Sequence, residues 1–542
     1  MKSLPWQRRF WLLTGGFWIL IAIGLILRIT RAIISQDDYD IDIDTYFYLG
    51  WRFREGGLMY LESFNAKWPL VGMVFAPISQ LESIGAYRVL VLLIDLCTGL
   101  LLGWSLAQLR RSGWAPNNLP WPVVPGTAAL TLLMSQKFIG GLSGHLHHTA
   151  NLFTALALSA AVMSIKSQRR RRQLCLLGCG FWLMAAVSMR PNLALPLGLS
   201  VIAAVLLTGP PAQIPRRMRS LLPLSLGAGM LIGVMALPYI QHPGGLTRLW
   251  AGAVVLPWEW RQHTTDTLNP GNNLLLEAWR LLNNQVAGLR VWTLAITPIT
   301  LLGYQGWTSW HARPRTIQPF LVPTISLINL LGLAWSFQLT HYWAHYEMMT
   351  IPPLVILISC GIGATPNSQH LRPDNVLRFL SFISIGVITL ILILNVFVAE
   401  ARSISGTPSK RQADRQIILN FLQQQPANQR TFMSPQDFSF HWRLKQPSSS
   451  IGIHRSWSMR PYDLPASWAT TLLGIATDQR EACNQLTASQ NHFIIWERQE
   501  RADLPDDDQL FACLNNTGDT WINRSREIGL KRSDYIVMER ER

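Results

Sequence analysis

Charge is what this sequence has least of: 14% of its 542 residues are Asp, Glu, Lys or Arg, while 49% are hydrophobic and 23 are tryptophan. Soluble domains carry about a quarter charged residues, so the deficit excludes a soluble enzyme as the bulk of the chain and leaves a polytopic membrane protein. Cysteine is scarce as well, at six. The pair Cys175 and Cys179 has no histidine or further cysteine beside it, which excludes a zinc cluster of the usual spacing. Cys97, Cys175, Cys179 and Cys360 fall in apolar spans and read as small buried hydrophobes. Cys483 and Cys513 lie in polar sequence on the oxidising side and are candidates for a disulfide. No internal repeat or low-complexity linker is found, which excludes a solenoid.

What the chain does have is apolar stretches of about 20 residues, each long enough to cross a hydrocarbon core of about 30 Å. Eleven spans are predicted: Phe10 to Ile33, then ten beginning near Ala86, Val123, Thr149, Gln173, Asn192, Leu221, Gly288, Thr316, Tyr346 and Leu377. The first exceeds the apolar run of a signal peptide and no A-x-A site follows it, so it is expected to stay as an anchor. Basic residues cluster on alternate loops: Arg8 and Arg9, Arg110 and Arg111, Arg169 to Arg172, then Arg216, Arg217 and Arg219, Arg313 and Arg315, and Arg372 and Arg378. The positive-inside rule makes those loops cytoplasmic. Most of the net charge of +16 is then topogenic and needs no nucleic acid partner, only membrane lipids.

The fold class expected is an all-α polytopic bundle over residues 1–399, followed by a small soluble α/β domain over residues 400–542 on the outer side. FIIW at Phe493 to Trp496 and YIVM at Tyr535 to Met538 read as short buried strands, and Ser409 to Gln425 has helical periodicity. No run in this tail is long enough to span a bilayer.

The first outward loop is crowded with acids, QDDYDIDIDTYFYLGWRFREGG followed by YLESFNAKWPL. Carboxylates at a membrane surface are costly unless they bind something or do chemistry. The stretch DTYFYLGWRFREGGLMYLESFNAKWPLVGMVFAP resembles the corresponding loop of GT-C membrane glycosyltransferases, in the protein mannosyltransferase and aminoarabinose transferase group. Asp44, Tyr46, Tyr48, Gly57, Tyr60, Lys67, Pro69 and Leu70 match that pattern in order. Downstream, NLFTALALSAAV, MRPNLALPL and HYWAHYEMMTIPPLVIL resemble its later segments, so the likeness covers roughly residues 10 to 400. Thr45 stands where a second acid is common and Trp68 where the first proline of a Pro-Pro-Leu box is common; Asp40, Asp42 or Glu55 are the candidates to replace the missing acid.

The resemblance implies transfer of a sugar from a polyprenyl-phosphate donor to an acceptor hydroxyl on a lipid, glycan or protein. The transfer would be inverting and would take place on the extracytoplasmic face of the plasma membrane. Asp44 is then the candidate general base. Lys67 is the candidate cation for the leaving lipid phosphate. Asp42, Tyr46, Tyr48, His145, His148, His341 and Tyr342 are candidate substrate-binding residues. His145, His147 and His148 with a loop carboxylate leave a divalent metal open as a cofactor, and polar lining is the competing reading. An N-cap of a loop helix competes for Asp44, a surface anchor beside Trp68 for Lys67, and headgroup snorkelling for Arg28 and Arg31. Asp95, within RVLVLLIDLCTGLLLG, is expected to find a partner on another helix. Trp258 and Trp260 would stack on a sugar or on headgroups. The competing classes are a transporter, which would carry its charges deep in several helices, and a scaffold for surface polysaccharide assembly, which would need no acid at position 44.

Overall fold

A computed structural model of the protein describes residues 41–62, 67–116, 123–135, 145–165, 167–207, 211–259, 318–338, 348–363, 410–434, 437–448, 466–475, 477, 479–488, 491–497, 511, 513–515, 518–530 and 535–541. It also describes seven helical positions between 15 and 29. The spans expected from Gly288 and Leu377, and the residues Arg28, Arg31, Asp40, Trp260, His341 and Tyr342, lie outside the described residues.

In chain order, leaving aside the short helix Ile214–Met218, the helices are α1 (Ile41–Arg54), α2 (Leu70–Ile78), α3 (Ile84–Arg111), α4 (Val123–Met134), α5 (Leu146–Ile165), α6 (Arg169–Met189), α7 (Ala194–Leu207), α8 (Leu221–Ile240) and α9 (Gly245–Trp250). A π-turn follows at Ala251–Val255. Then come α10 (Leu321–Gln338), α11 (Ile351–Gly363), α12 (Lys410–Gln424), β1 (Phe432–Met433), α13 (Ser439–Arg443), α14 (Trp468–Leu473), α15 (Gln479–Leu486), β2 (Phe493–Glu497), β3 (Trp521–Asn523) and β4 (Tyr535–Arg540). The chain divides into two compact units. One is Met1–Ile34, Arg88–Gly233 and Asn273–Ser405; the other is Ser35–Tyr87, Val234–Asn272 and Gly406–Arg542.

The first unit is a helical bundle. Eight of the expected spans coincide with described helices, α3 to α8, α10 and α11. Among the described residues four helices are long and apolar enough to cross a membrane: Ile84–Arg111, Leu146–Ile165, Arg169–Met189 and Ile214–Ile240. α5 packs on α6, α7 on α10, and α11 on α4 and α10, around a core that includes Leu102, Leu106, Met134, Ala155, Leu330, Leu354 and Cys360. α6 and α8 cross at glycines: a Cβ at Gly180 would lie 1.8 Å from the Leu224 carbonyl oxygen, and one at Gly227 would lie 1.9 Å from that of Leu177. Close backbone approach through small residues is how helices associate where lipid gives no hydrophobic drive. α8 exposes Leu222, Leu226, Met230 and Leu237, a surface that suits hydrocarbon and not water.

Two readings from the sequence change here. Arg110 is not a loop charge, since it is buried and donates to the Ser359 carbonyl at 2.6 Å, where it satisfies a carbonyl of α11; Arg169 to Arg172 are exposed. Cys97 is exposed on α3 and Cys175 half-buried, so only Cys179 and Cys360 are buried hydrophobes.

The second unit holds the α/β module. Its sheet has the order β1-β2-β4-β3, with β1 parallel to β2 and the other pairs antiparallel. Successive residues of a strand point to opposite faces, and both faces are covered. Phe493, Ile495, Tyr535 and Val537 pack with Ile418 and Leu422 of α12. Ile494, Trp496, Ile536 and Met538 pack with Leu486 of α15. Burial on both sides is why these strands read as continuous apolar runs. Cys483 and Cys513 are bridged beside the second face, with Cα atoms 5.6 Å apart.

α1 and α2 belong to this unit. Asp42 and Asp44 open α1 and Arg52 and Arg54 close it, each charge set at the end the helix dipole favours. Gly50 brings the two helices together, because a Cβ there would lie 2.3 Å from the Phe75 carbonyl oxygen. Ile43, Tyr46, Phe47, Tyr48 and Leu49 are all buried, so α1 is enclosed on every side by α2, α13 and the start of α3.

Candidate active site

Asp44 lies in the first turn of α1, inside the helix and not at its N-cap. Its carboxyl group is completely buried. The Trp442 indole Nε1–H donates to Oδ1 at 2.9 Å, and Arg415 Nη2 lies 3.6 Å from Oδ2. Oδ2 accepts no hydrogen bond from the described residues. The same guanidinium is engaged by a second acid. Arg415 Nε donates to Asp437 Oδ2 at 2.5 Å, Nη2 pairs with that oxygen as well, and Nε also donates to the Tyr535 hydroxyl at 3.0 Å. Tyr535 donates to Asp437 Oδ2 at 2.9 Å, and Ser439 donates from its backbone and its hydroxyl to Oδ1, at 3.0 and 2.5 Å.

The two acids are therefore unequal. Asp437 gathers most of the donors, and they hold its carboxyl below the usual carboxylate range in spite of burial. Asp44 is pushed up to about 7, mainly by burial, against the pull of Arg415, with Asp437 adding repulsion. A carboxyl poised near neutrality is fit to accept a proton at physiological pH.

Aromatic rings fix α1 around this group. Phe47 lies 5.1 Å from Trp442 and 5.6 Å from Tyr87, centroid to centroid. Tyr46 packs on Phe75. Tyr48 packs on Phe438, and its hydroxyl accepts from the Ser448 backbone N–H at 2.9 Å. His441 is locked as neutral imidazole: Ser434 N–H donates to Nε2, Nδ1–H donates to the Gln446 carbonyl, and burial pushes its pKa down to about 4.

Lys67 is half-buried at the end of a segment pinned at several points. Gly57 N–H bonds the Arg52 carbonyl at 2.8 Å, Arg52 pairs with Glu62, and the Tyr239 hydroxyl donates to the Met59 carbonyl at 2.8 Å. Tyr60, fully buried, donates its hydroxyl to the Lys67 carbonyl. Its backbone sits at φ 69°, an unfavourable region for a bulky residue that packing must sustain. Part of that packing is Gly252 in the π-turn, where a Cβ would lie 2.2 Å from the Tyr60 ring. Asp42 is half-buried on α1. Glu55 is exposed and paired with Arg54 at 3.3 Å, which leaves it a surface residue.

In the first unit His145, His147 and His148 are buried at the start of α5. His148 Nδ1 lies 2.7 Å from Asp95 Oδ1, so Asp95 has the partner expected from another helix. Arg190 Nη2 lies 3.3 Å from His147 Nδ1, and the His145 and His147 rings meet edge to face. Among the described residues no three of His, Cys, Asp and Glu are arranged to hold a metal. Trp258 is exposed, in a segment that is helical from Gly245 to Glu259.

The structure thus places Asp44, Tyr46, Tyr48 and Lys67 in one unit, and His145 and His148 in the other. Sequence reasoning missed Arg415, Asp437, Trp442 and Tyr535. A signal for Arg415 was present: it lies three and seven residues before Ile418 and Leu422, on the apolar stripe of an otherwise polar helix, where an arginine is rare unless paired.

A helical membrane bundle joined to a unit of loop helices and a small α/β module defines the class: a polytopic membrane protein of the GT-C fold. Neither a protein-family model nor a curated protein matches the sequence, but solved structures share the fold. ArnT from Cupriavidus metallidurans superposes in its apo state with a TM-score of 0.56 and in its complex with undecaprenyl phosphate with 0.55. In both, 97% of this chain aligns with 98% of that one at 14% identity. The archaeal oligosaccharyltransferase AglB from Archaeoglobus fulgidus aligns more loosely, at 12% identity over 91% of this chain and 70% of that one, with a TM-score of 0.44.

Proposed function

We propose that the protein is an integral membrane glycosyltransferase of about eleven spans that moves a sugar from a polyprenyl phosphate to an acceptor hydroxyl. The reaction takes place at the outer face of the plasma membrane. The observation that carries this reading is Asp44: a buried first-loop acid raised toward neutrality, in a chain with the fold of a protein crystallised with undecaprenyl phosphate.

The acceptor oxygen attacks the anomeric carbon from the side opposite the lipid phosphate. The new C–O bond forms as the old one breaks, the bonding pair leaves with the phosphate, and the acceptor proton passes to the Asp44 carboxylate. A single displacement of this kind inverts the anomeric centre. Approach at Oδ2 leaves the Trp442 bond to Oδ1 in place, and entry of an acceptor requires the cover over Asp44 to part. Lys67 would counter the charge on the departing phosphate, with Tyr60 and Tyr239 fixing the backbone that presents it.

The test incubates membranes containing the protein with a panel of radiolabelled polyprenyl-phosphate sugars, with and without chelator, alongside Asp44→Asn. The reading requires transfer from at least one donor and its loss in the variant; activity that survives in the variant removes Asp44 from the chemistry. The enclosure of Asp44 favours a second reading, a non-catalytic strut in a scaffold for polysaccharide assembly. Absence of transfer from every donor would support it.

A further inference from the structure

Among the described residues Arg415 faces two buried acids at once, Asp44 and Asp437, and Arg443 adds a weaker attraction on Asp44. A shared cation compensates each acid less than a dedicated one would, and an under-compensated buried carboxylate is costly, so the sharing calls for a reason. We infer that the C-terminal module is part of the catalytic site: Arg415 and Trp442 are positioning residues that aim Asp44 and set its charge, and Asp437 governs how much of the Arg415 charge reaches it. This inference rests on Asp44 being the base.

The geometry supplies three separate handles. Trp442 fixes Oδ1 by its bond at 2.9 Å and holds the α1 backbone through Phe47, which leaves Oδ2 as the lone-pair site open to a proton. Arg415 stands at 3.6 Å from that oxygen, near enough to favour the ionised form but short of a hydrogen bond that would compete with a substrate proton. Asp437, with Tyr535 and Ser439 behind it, pulls the guanidinium toward itself. The charged groups acting on Asp44 are Arg415 from α12, and Asp437 and Arg443 from the segment that ends in α13. α2 and the start of α3 bring the uncharged rings of Phe75 and Tyr87 to α1, and Asp42 is the other acid in the first turn of α1.

The experiment measures kcat/KM for transfer as a function of pH with the full chain in membranes, and follows the acid limb, where the base loses its proton. Arg415→Gln should move that limb upward by about 1–3 pH units, the range expected when an opposite charge at this distance is lost. Arg415→Lys should restore most of the wild-type position. Trp442→Phe should move the limb upward by less. Asp437→Asn should move it downward, because it removes a repelling charge and frees Arg415 for Asp44. Opposite signs at neighbouring buried positions are not produced by loss of packing. If Arg415→Gln is not recovered folded from membranes, Arg415→Lys, Trp442→Phe and Asp437→Asn still decide the matter. Uniform loss of rate with the limbs unmoved, while Asp44→Asn is inactive, overturns this inference alone. Wild-type activity in Asp44→Asn overturns the base assignment itself.

Discussion

Two buried acids, Asp44 in one unit and Asp95 in the other, meet different company. Asp95 meets the His148 ring at 2.7 Å, both groups buried in the bundle. Asp44 shares an arginine with Asp437, which takes the shorter contacts. An acid set against a short-range partner of its own has part of its cost of burial met on the spot. An acid left short of its counter-charge sits near its own titration point, and such groups collect where protons are moved. Burial alone therefore does not separate strut from base, and neutralising each acid does.

The sharpest way to break that comparison is to neutralise each acid in turn. Asp44→Asn should reduce transfer by about 10²- to 10⁴-fold, the usual worth of a positioned base, while Asp95→Asn should leave the rate of correctly inserted protein within about tenfold. Reversal of that order in an assay of labelled-sugar transfer would exchange their roles. Stability should rank them the other way. Asp95→Ala removes a buried partner of His148 and should cost about 1–3 kcal/mol, read as a fall in Tm in detergent; Asp44→Asn keeps an acceptor for Trp442 and should cost little.

Within the C-terminal module a comparable effect is expected from Cys483→Ser with Cys513→Ser. Loss of a bridge usually removes about 2–4 kcal/mol, which chemical denaturation of the module would reveal. A further effect is in pH dependence. His441, pushed down to about 4 in the fold, binds its proton more readily when unfolded, so its contribution to stability falls as pH drops from 6.5 toward 4. Asp44 works in the opposite direction. Its folded value of about 7 lies above its ordinary 3.8, so its contribution is full below 3.8 and is lost as pH rises through 7. The Tm of Asp44→Asn relative to wild type should therefore climb between pH 5 and 8, and a flat difference would show that Asp44 titrates normally.

Much of the fold was legible because its signals are local. Apolar length marked α3 to α8, α10 and α11 within a few residues, periodicity marked α12, and short apolar runs marked β2 and β4. The loop pattern around Asp44 and Lys67 was legible too, as an ordered string of residue types. Arg110 was misread as topogenic because its partner, the Ser359 carbonyl, lies far along the chain. The exposure of Cys97 was missed because an apolar span does not say which of its faces meets lipid.

By itself the sequence determined that the chain is apolar enough to enter a membrane, where its long apolar helices, α12 and the strands β2 and β4 run, and that acids crowd the loop before α2. Hydrophobicity and periodicity are properties of neighbours along the chain and survive without a fold. Only the tertiary structure decided what surrounds Asp44. Its partners Arg415, Asp437 and Trp442 lie some 370 to 400 positions away, and a carboxyl group's charge depends on burial and on cations within a few ångströms, quantities that exist only once the chain has folded.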